Sequence, residues 1–393
     1  MTPLDGVRVL DLSRILAGPY CSMMLADLGA DVVKVERPGS GDPTRSWGPP
    51  FVEGESTYFL SANRGKRSIC VDLGDPEGIE LVRTLAGRAD IVLENFIPGG
   101  AERMGLGYDD LRARRPALVY CSISGYPDDG PDASRPGFDF AIQGEGGIMS
   151  ITGAPDGDPM KVGVAIADIT AGIYATVGVL AALRQATATG VGSHVRVSLF
   201  DAQLAWLANR ASDYLVAGET PERLGNAHPA IVPYESFRAS DGYVIVAIGT
   251  DAQFARFCRE ASLDELLEDA RFATNPDRVR HRAALTPVLA RAIEQERVSH
   301  WLELMERAGV PGGPVRTIPE VFAHAPFATK AHEHPTLGSI RTVRSPIGLD
   351  GARTTADAPP PLLGEHAAEI LAEAGYSSQE AEHLLASVCR TDH

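Results

Sequence analysis

Short apolar runs alternate with stretches of helical spacing along the first half of the chain. From Val7 the run VRVLDL has strand length and β-branched residues. After Ala17-Gly18-Pro19, the apolar positions Cys21, Met24, Leu25 and Leu28 follow a helical repeat that Gly29 stops. DVVKVE (31–36) reads as the next strand, which makes the first 36 residues a β-α-β unit with an expected right-handed crossover. SICVDL (68–73), a helix over 76–88, DIVLENF (90–96) and ALVYCSI (117–123) continue the alternation and predict a parallel sheet. A stretch rich in Gly and Asp (125–163) then precedes a long helix over 169–187, read as buried, and the strand HVRVSLF (194–200).

Helical spacing resumes through Leu204, Leu207, Ala211 and Leu215, and GNAHPAIVPYESF is too rich in Pro and Gly for a regular element, so it reads as a linker. A smaller, more helical unit follows. It has a strand YVIVAI (243–248), a helix through Phe254 and Phe257, and helices over 282–294 and 300–308. The chain ends with a strand-like run (339–343), a Pro run (359–361) and an amphipathic helix beginning near Glu365. No repeat of fixed period interrupts this reading.

Composition narrows the function. The 393 residues carry 36 Lys and Arg against 52 Asp and Glu, a net charge of -16, and such a surface repels phosphate backbones and anionic lipid. Nucleic acid and membrane are therefore not expected partners. The uncharged stretch 169–183 is broken by Thr and Gly and falls short of the roughly 20 apolar residues of a membrane span. Asp5, Arg8 and Asp11 break any signal-peptide core, so the expected compartment is the cytoplasm. The 5 cysteines are scattered and include no C-x-x-C pair, which suits a reducing compartment and neither zinc nor a disulfide framework.

The turn after the first strand, Ser13 to Pro19, lacks G-x-G-x-x-G, and neither a phosphate loop nor a G-x-S-x-G turn occurs. His332 and His334 lack metal-ligand spacing and read as surface or structural residues, so no metal is expected. Arg37, Arg64, Lys66, Arg67 and Arg103 flank predicted strands, where they either stay solvated or line a crevice for a small polyanion. Asp168 stands between the apolar run 162–167 and the long helix. A carboxylate there serves as an N-cap, as a nucleophile, or as both.

Six stretches in order resemble the class III CoA-transferases, the CaiB/BaiF or formyl-CoA transferase family: RILAGPYCSMMLADLGADVVKVERPGSGDPTR, NRGKRSICVDL, ADIVLENFIPGGAERMGLGYDDL, PGFDFAIQGEGGIMSITGAPDGDPMKVGVAIADITAGIYA, GNAHPAIVPYESF and PPLLGEHAAEIL. The resemblance implies an interlocked homodimer with a Rossmann-like α/β large domain and a smaller α/β domain. In this chain that corresponds to 1–200 for the large CoA-binding domain, 201–225 for a linker, 226–325 for the small domain, and 326–393 for a return segment completing the large domain. It implies CoA thioesters as substrates and no permanently bound cofactor.

By the same resemblance Asp168 is the catalytic carboxylate, forming a mixed anhydride and then an aspartyl-CoA thioester. Ile15 and Ala17 are implied near the CoA thiol, Arg37 at the nucleotide phosphates, Leu73 at adenine, and Asn95, Phe96 and Arg103 along the ADP moiety. Gln143 is implied as a contact to the acyl group, and Gly249 as part of a loop covering the site. α-Methylacyl-CoA racemases share the fold but use a G-H-D histidine, where this chain has Gly137-Phe138-Asp139. Leu16 replaces a Gln that helps formyl-CoA transferase to hold small acyl groups, and GLGYDDL, YCSISGY and PPPLLGEH are most similar to the branch acting on dicarboxylates, including succinyl-CoA:glutarate-type transferases.

Overall fold

The computed structural model describes residues 2–391 and divides them into two units. The first takes in the chain through Ile148, Val162–Ser212, and everything from Phe327 onward. Its sheet contains β1 (Arg8–Asp11), β2 (Asp31–Glu36), β3 (Lys66–Cys70), β4 (Ile91–Glu94), β5 (Val119–Ser124) and β6 (His194–Ser198). All neighbours are parallel, and the spatial order is β3-β2-β1-β4-β5-β6. This is the order of a doubly wound sheet, with its switch point between β1 and β4.

Alternation along each strand sends side chains to opposite faces. Val9, Val32, Ile91, Leu93 and Cys121 pack beneath α1 (Ala17–Asp27) and α4 (Ile166–Thr189). Leu10, Ile69, Val92 and Tyr120 pack on the other face against α2 (Pro76–Ala86) and two C-terminal helices, α10 (Ala367–Glu373) and α11 (Ser378–Ser387). With both faces covered, the strands need apolar residues at nearly every position, which is why they stand out as continuous apolar runs.

Several elements differ from the sequence pattern. The long helix α4 begins at Ile166, three residues earlier than expected, and has the length and apolarity of a membrane span. Only one face is buried, through Ala167, Ala171, Ala175, Val179 and Ala186, while Ile173, Tyr174 and Val177 are exposed. The Gly-rich stretch contains α3 (Asp139–Glu145). The helical pattern after 200 is two helices, α5 (Leu199–Trp206) and α6 (Ala208–Ala217), parted where Ala208 takes a φ of 45°. The expected terminal helix is likewise two, because the chain turns at Gly375 with a φ of 89°.

The second unit holds Met149–Lys161 and Asp213–Pro326. The tail of the expected linker is strand β7 (Tyr234–Ala239), which pairs antiparallel with β8 (Gly242–Ala247). Helices α7 (Asp251–Glu260), α8 (Arg282–Glu294) and α9 (Val298–Ala308) bury Phe254, Phe257, Leu289 and Trp301 against that sheet, and β9 (Gly312–Pro314) pairs with the other edge of β8.

Candidate active site

The turns that leave β1 and β4 flank the switch point, where open α/β sheets bind ligands. Two cavities open there and share Arg14, Phe96 and Ile97. One, of about 280 Å³, is lined by Ile15, Leu16, Ala17, Asn95, Phe138 and Asp168 among others. The other, of about 480 Å³, is lined by Arg14, Arg37, Leu73, Phe96 and Arg103 among others. Thus eight of the residues expected at the site, Ile15, Ala17, Arg37, Leu73, Asn95, Phe96, Arg103 and Asp168, line two adjoining cavities. No histidine lines the Asp168 cavity among the described residues.

Asp168 is the third residue of α4 and not its N-cap. The cap position is Ala165, which has no capping side chain. Asp139 supplies the missing acceptor from α3, taking the Ala167 N–H on Oδ1 at 2.8 Å. Gln143 steadies Asp139 by donating Nε2 to its Oδ2 at 2.7 Å, and accepts the Val162 N–H on Oε1 at 2.8 Å. Gln143 is fully buried, so its amide supports Asp139 and is not among the residues lining the Asp168 cavity. Gly249 belongs to the second unit, where its N–H donates to Gln253 Oε1 at 3.0 Å.

Burial, followed by the negative charge of Asp139, pushes the Asp168 carboxyl up to about 7. Tyr58 is raised to about 12 by burial and then by the charge of Asp168, so its phenol stays protonated beside that carboxylate. Sequence patterns gave Asp139, met only as the end of Gly137-Phe138-Asp139, and Tyr58 no role, because their roles arise only from contacts across the chain. Any reaction in which Asp168 attacks as a carboxylate needs it ionised, so kcat/KM is then expected to rise with pH through a midpoint near 7. Asp139→Asn removes the repelling charge but keeps an oxygen for the Ala167 N–H. Its pH profile should therefore move to lower pH, and an unmoved midpoint would show that the charge of Asp139 does not act on Asp168.

Arg14, Arg37 and Arg103 form no ion pair among the described residues, although the protein is strongly acidic. Arg14 lies over the Phe96 ring, 5.4 Å from its centroid. The other basic residues proposed for the crevice are elsewhere. Arg64 is buried against Asp27 at 2.5 Å, Lys66 against Asp11 at 3.2 Å, and Arg67 bridges Asp31, Glu369 and Glu373 at 2.6–2.9 Å. They stand at the start of β3, whereas ligands approach the carboxyl ends of the strands. His332 and His334 are buried structural residues, His332 bonding to Asp357 O and Thr342 Oγ1.

Helix α4 passes close to the start of α1 one turn beyond Asp168. A Cβ on Gly172 would lie 2.7 Å from the carbonyl oxygen of Ala17, a backbone atom that cannot rotate away. Gly172→Ala is expected to cost about 1–3 kcal/mol by overpacking and to lower turnover by displacing Ala17 from Asp168. Thermal melts and steady-state rates check this, and a variant with native melting temperature and rate would show that the two helices have slack here.

Fold and site together define an α/β enzyme whose crevice joins a cavity lined by unpaired guanidinium groups to a half-buried carboxylate. A profile described as CoA-transferase family III matches residues 4–367. Succinyl-CoA:glutarate CoA-transferase of Mus musculus is 43% identical over 392 residues, which is 98% of this chain and 90% of its own length. Succinate–glutarate CoA-transferase of Agrobacterium fabrum is 45% identical over 383 residues, 94% of this chain and 95% of its own. The crystal structure of a CaiB/BaiF family protein from Brucella suis matches with a TM-score of 0.85 and 47% identity, covering 95% of this chain and 99% of that one. The chain belongs to CoA-transferase family III and is a CoA-transferase, as its motifs led one to expect.

Proposed function

We propose that the enzyme moves CoA from succinyl-CoA to a dicarboxylic acid of the glutarate type, with Asp168 as the covalent carrier. The observation that carries this reading is the adjacency of two unlike cavities: three uncompensated guanidinium groups in one and a half-buried carboxylate in the other. CoA has that same polarity, with phosphates at one end and a thioester at the other. Arg37 and Arg103 would pair with the phosphates, Leu73 and Phe96 would pack on adenine and its neighbours, and Ile15 and Ala17 would border the thiol. Asn95 contributes from beneath, since its side chain accepts the Arg14 N–H at 2.8 Å and donates to the Arg14 carbonyl at 2.7 Å.

The ionised Asp168 attacks the donor carbonyl, the C–S bond breaks, and a mixed anhydride and a CoA thiolate result. Thiolate attack on the Asp168 carbonyl then expels the donor acid and leaves an aspartyl-CoA thioester. The acceptor carboxylate repeats these two steps in reverse, ending with its own thioester and free Asp168. Every covalent state removes the negative charge that burial and Asp139 disfavour, so the environment that raises the carboxyl toward about 7 also favours acylation. Incubation with succinyl-CoA and glutarate, followed by chromatography of the CoA esters, should yield glutaryl-CoA. Absence of a new thioester with any dicarboxylate would sink the proposed donor and acceptor class, and α-proton exchange in deuterated water would favour a racemase.

An interlocked homodimer belongs to the same proposal. The exposed Ile173, Tyr174 and Val177, neighbours within one turn of α4, support it, because apolar side chains grouped on a helix surface call for a protein partner.

A further inference from the structure

We propose that the buried Asp42–Lys34 pair is a positioning device for CoA transfer, holding Ile15 in a left-handed conformation so that Ala17 stands beside Asp168. The inference rests on the reading that these residues border the acyl site. Ile15 is β-branched, yet its φ is 72°, a conformation that such side chains resist. The turn that contains it is pinned at three successive residues. Lys34 Nζ donates to the Ser13 carbonyl at 2.9 Å, Asn95 holds both backbone groups of Arg14, and the Ile15 N–H donates to Asp42 at 3.2 Å.

Lys34 and Asp42 meet at 2.9 Å with no side-chain exposure, so one buried ion pair grips the turn on either side of Arg14. Neither residue lines the Asp168 cavity. The turn leads directly into α1, whose first residue, Ala17, is the one that Gly172 allows against α4. Asp11 anchors the near end, accepting the Ser13 N–H at 2.9 Å. A buried pair is weak as a source of stability, since apolar residues of like volume often serve as well. Its use here is to impose a backbone shape that the local sequence opposes.

Replacing both members together, Lys34→Met with Asp42→Ala, avoids leaving a lone buried charge. The expected result is a loss in kcat of about tenfold or more, with KM for the acyl-CoA changed much less, because Arg37 and Arg103, proposed to pair with the phosphates, lie outside the turn. Glycine adopts the left-handed conformation without strain, so in an Ile15→Gly background the same double replacement should cost about twofold or less. Each loss is taken relative to its own background, so any effect of removing the Ile15 side chain cancels, and an equal fold-loss in both backgrounds or no loss in either overturns the proposal. If the double replacement does not fold, Asp42→Asn is measured in the same two backgrounds by the same criterion. A wild-type enzyme that makes no new thioester defeats the proposed donor and acceptor class instead, so the two failures are distinguishable.

Discussion

Asp168→Ala is expected to lower CoA exchange by about 10³-fold or more while leaving acyl-CoA binding near its native affinity. The separation follows from the two cavities. Asp168 lines the smaller one, whereas the uncompensated guanidinium groups of Arg37 and Arg103 line the larger. Removing the carboxylate also removes a charge that its surroundings disfavour, so the fold loses little and ground-state binding need not suffer. Rates with succinyl-CoA and glutarate, together with titration of CoA, test both halves. Quenching the wild-type enzyme in mid-reaction with hydroxylamine and digesting it should place a hydroxamate on Asp168, and the label should be missing from the variant. Retained turnover in Asp168→Ala would falsify covalent catalysis at this residue, while a labelled acid elsewhere would move the role to that residue.

The parts of this arrangement that were legible in the sequence are those set by neighbours in the chain. A parallel sheet covered on both faces makes its strands continuous apolar runs, so five of the six were visible close to their observed positions. Lys66–Cys70 was displaced by two residues because it starts with charged side chains, whose partners Asp11, Asp31, Glu369 and Glu373 are supplied from distant segments. The same cause misplaced the basic crevice: a list of cations near strand ends does not tell which of them are already neutralised. Asp168 resembled an N-cap because the real cap, Asp139, lies 28 residues from the amide that it accepts. Nor does local sequence foretell the φ of 72° at Ile15, which depends on a buried pair drawn from β2 and the segment after it. The motifs identified the family, but the support around Asp168 is a property of the folded contacts.

That distinction between free and neutralised cations gives the second large effect. A charge-assisted hydrogen bond contributes about 1.5–3 kcal/mol, so Arg37→Ala and Arg103→Ala should each raise KM for the acyl-CoA by roughly ten- to a hundredfold with kcat largely preserved. An acceptor acid without phosphates does not need the cavity of Arg37 and Arg103, and its KM should stay near the native value. Arg67→Ala is the informative control: it is as basic and as close in sequence to the crevice elements, but its guanidinium is already held by Asp31, Glu369 and Glu373 at the start of β3. Its KM should be unchanged although its melting temperature falls. Raising ionic strength should weaken CoA binding to the native enzyme and do so less in Arg37→Ala, because one screened contact has been removed. If Arg67→Ala raised KM as much as Arg37→Ala, net positive charge would be acting at long range, and an assignment of the phosphates to the switch-point cavity would have no support from kinetics.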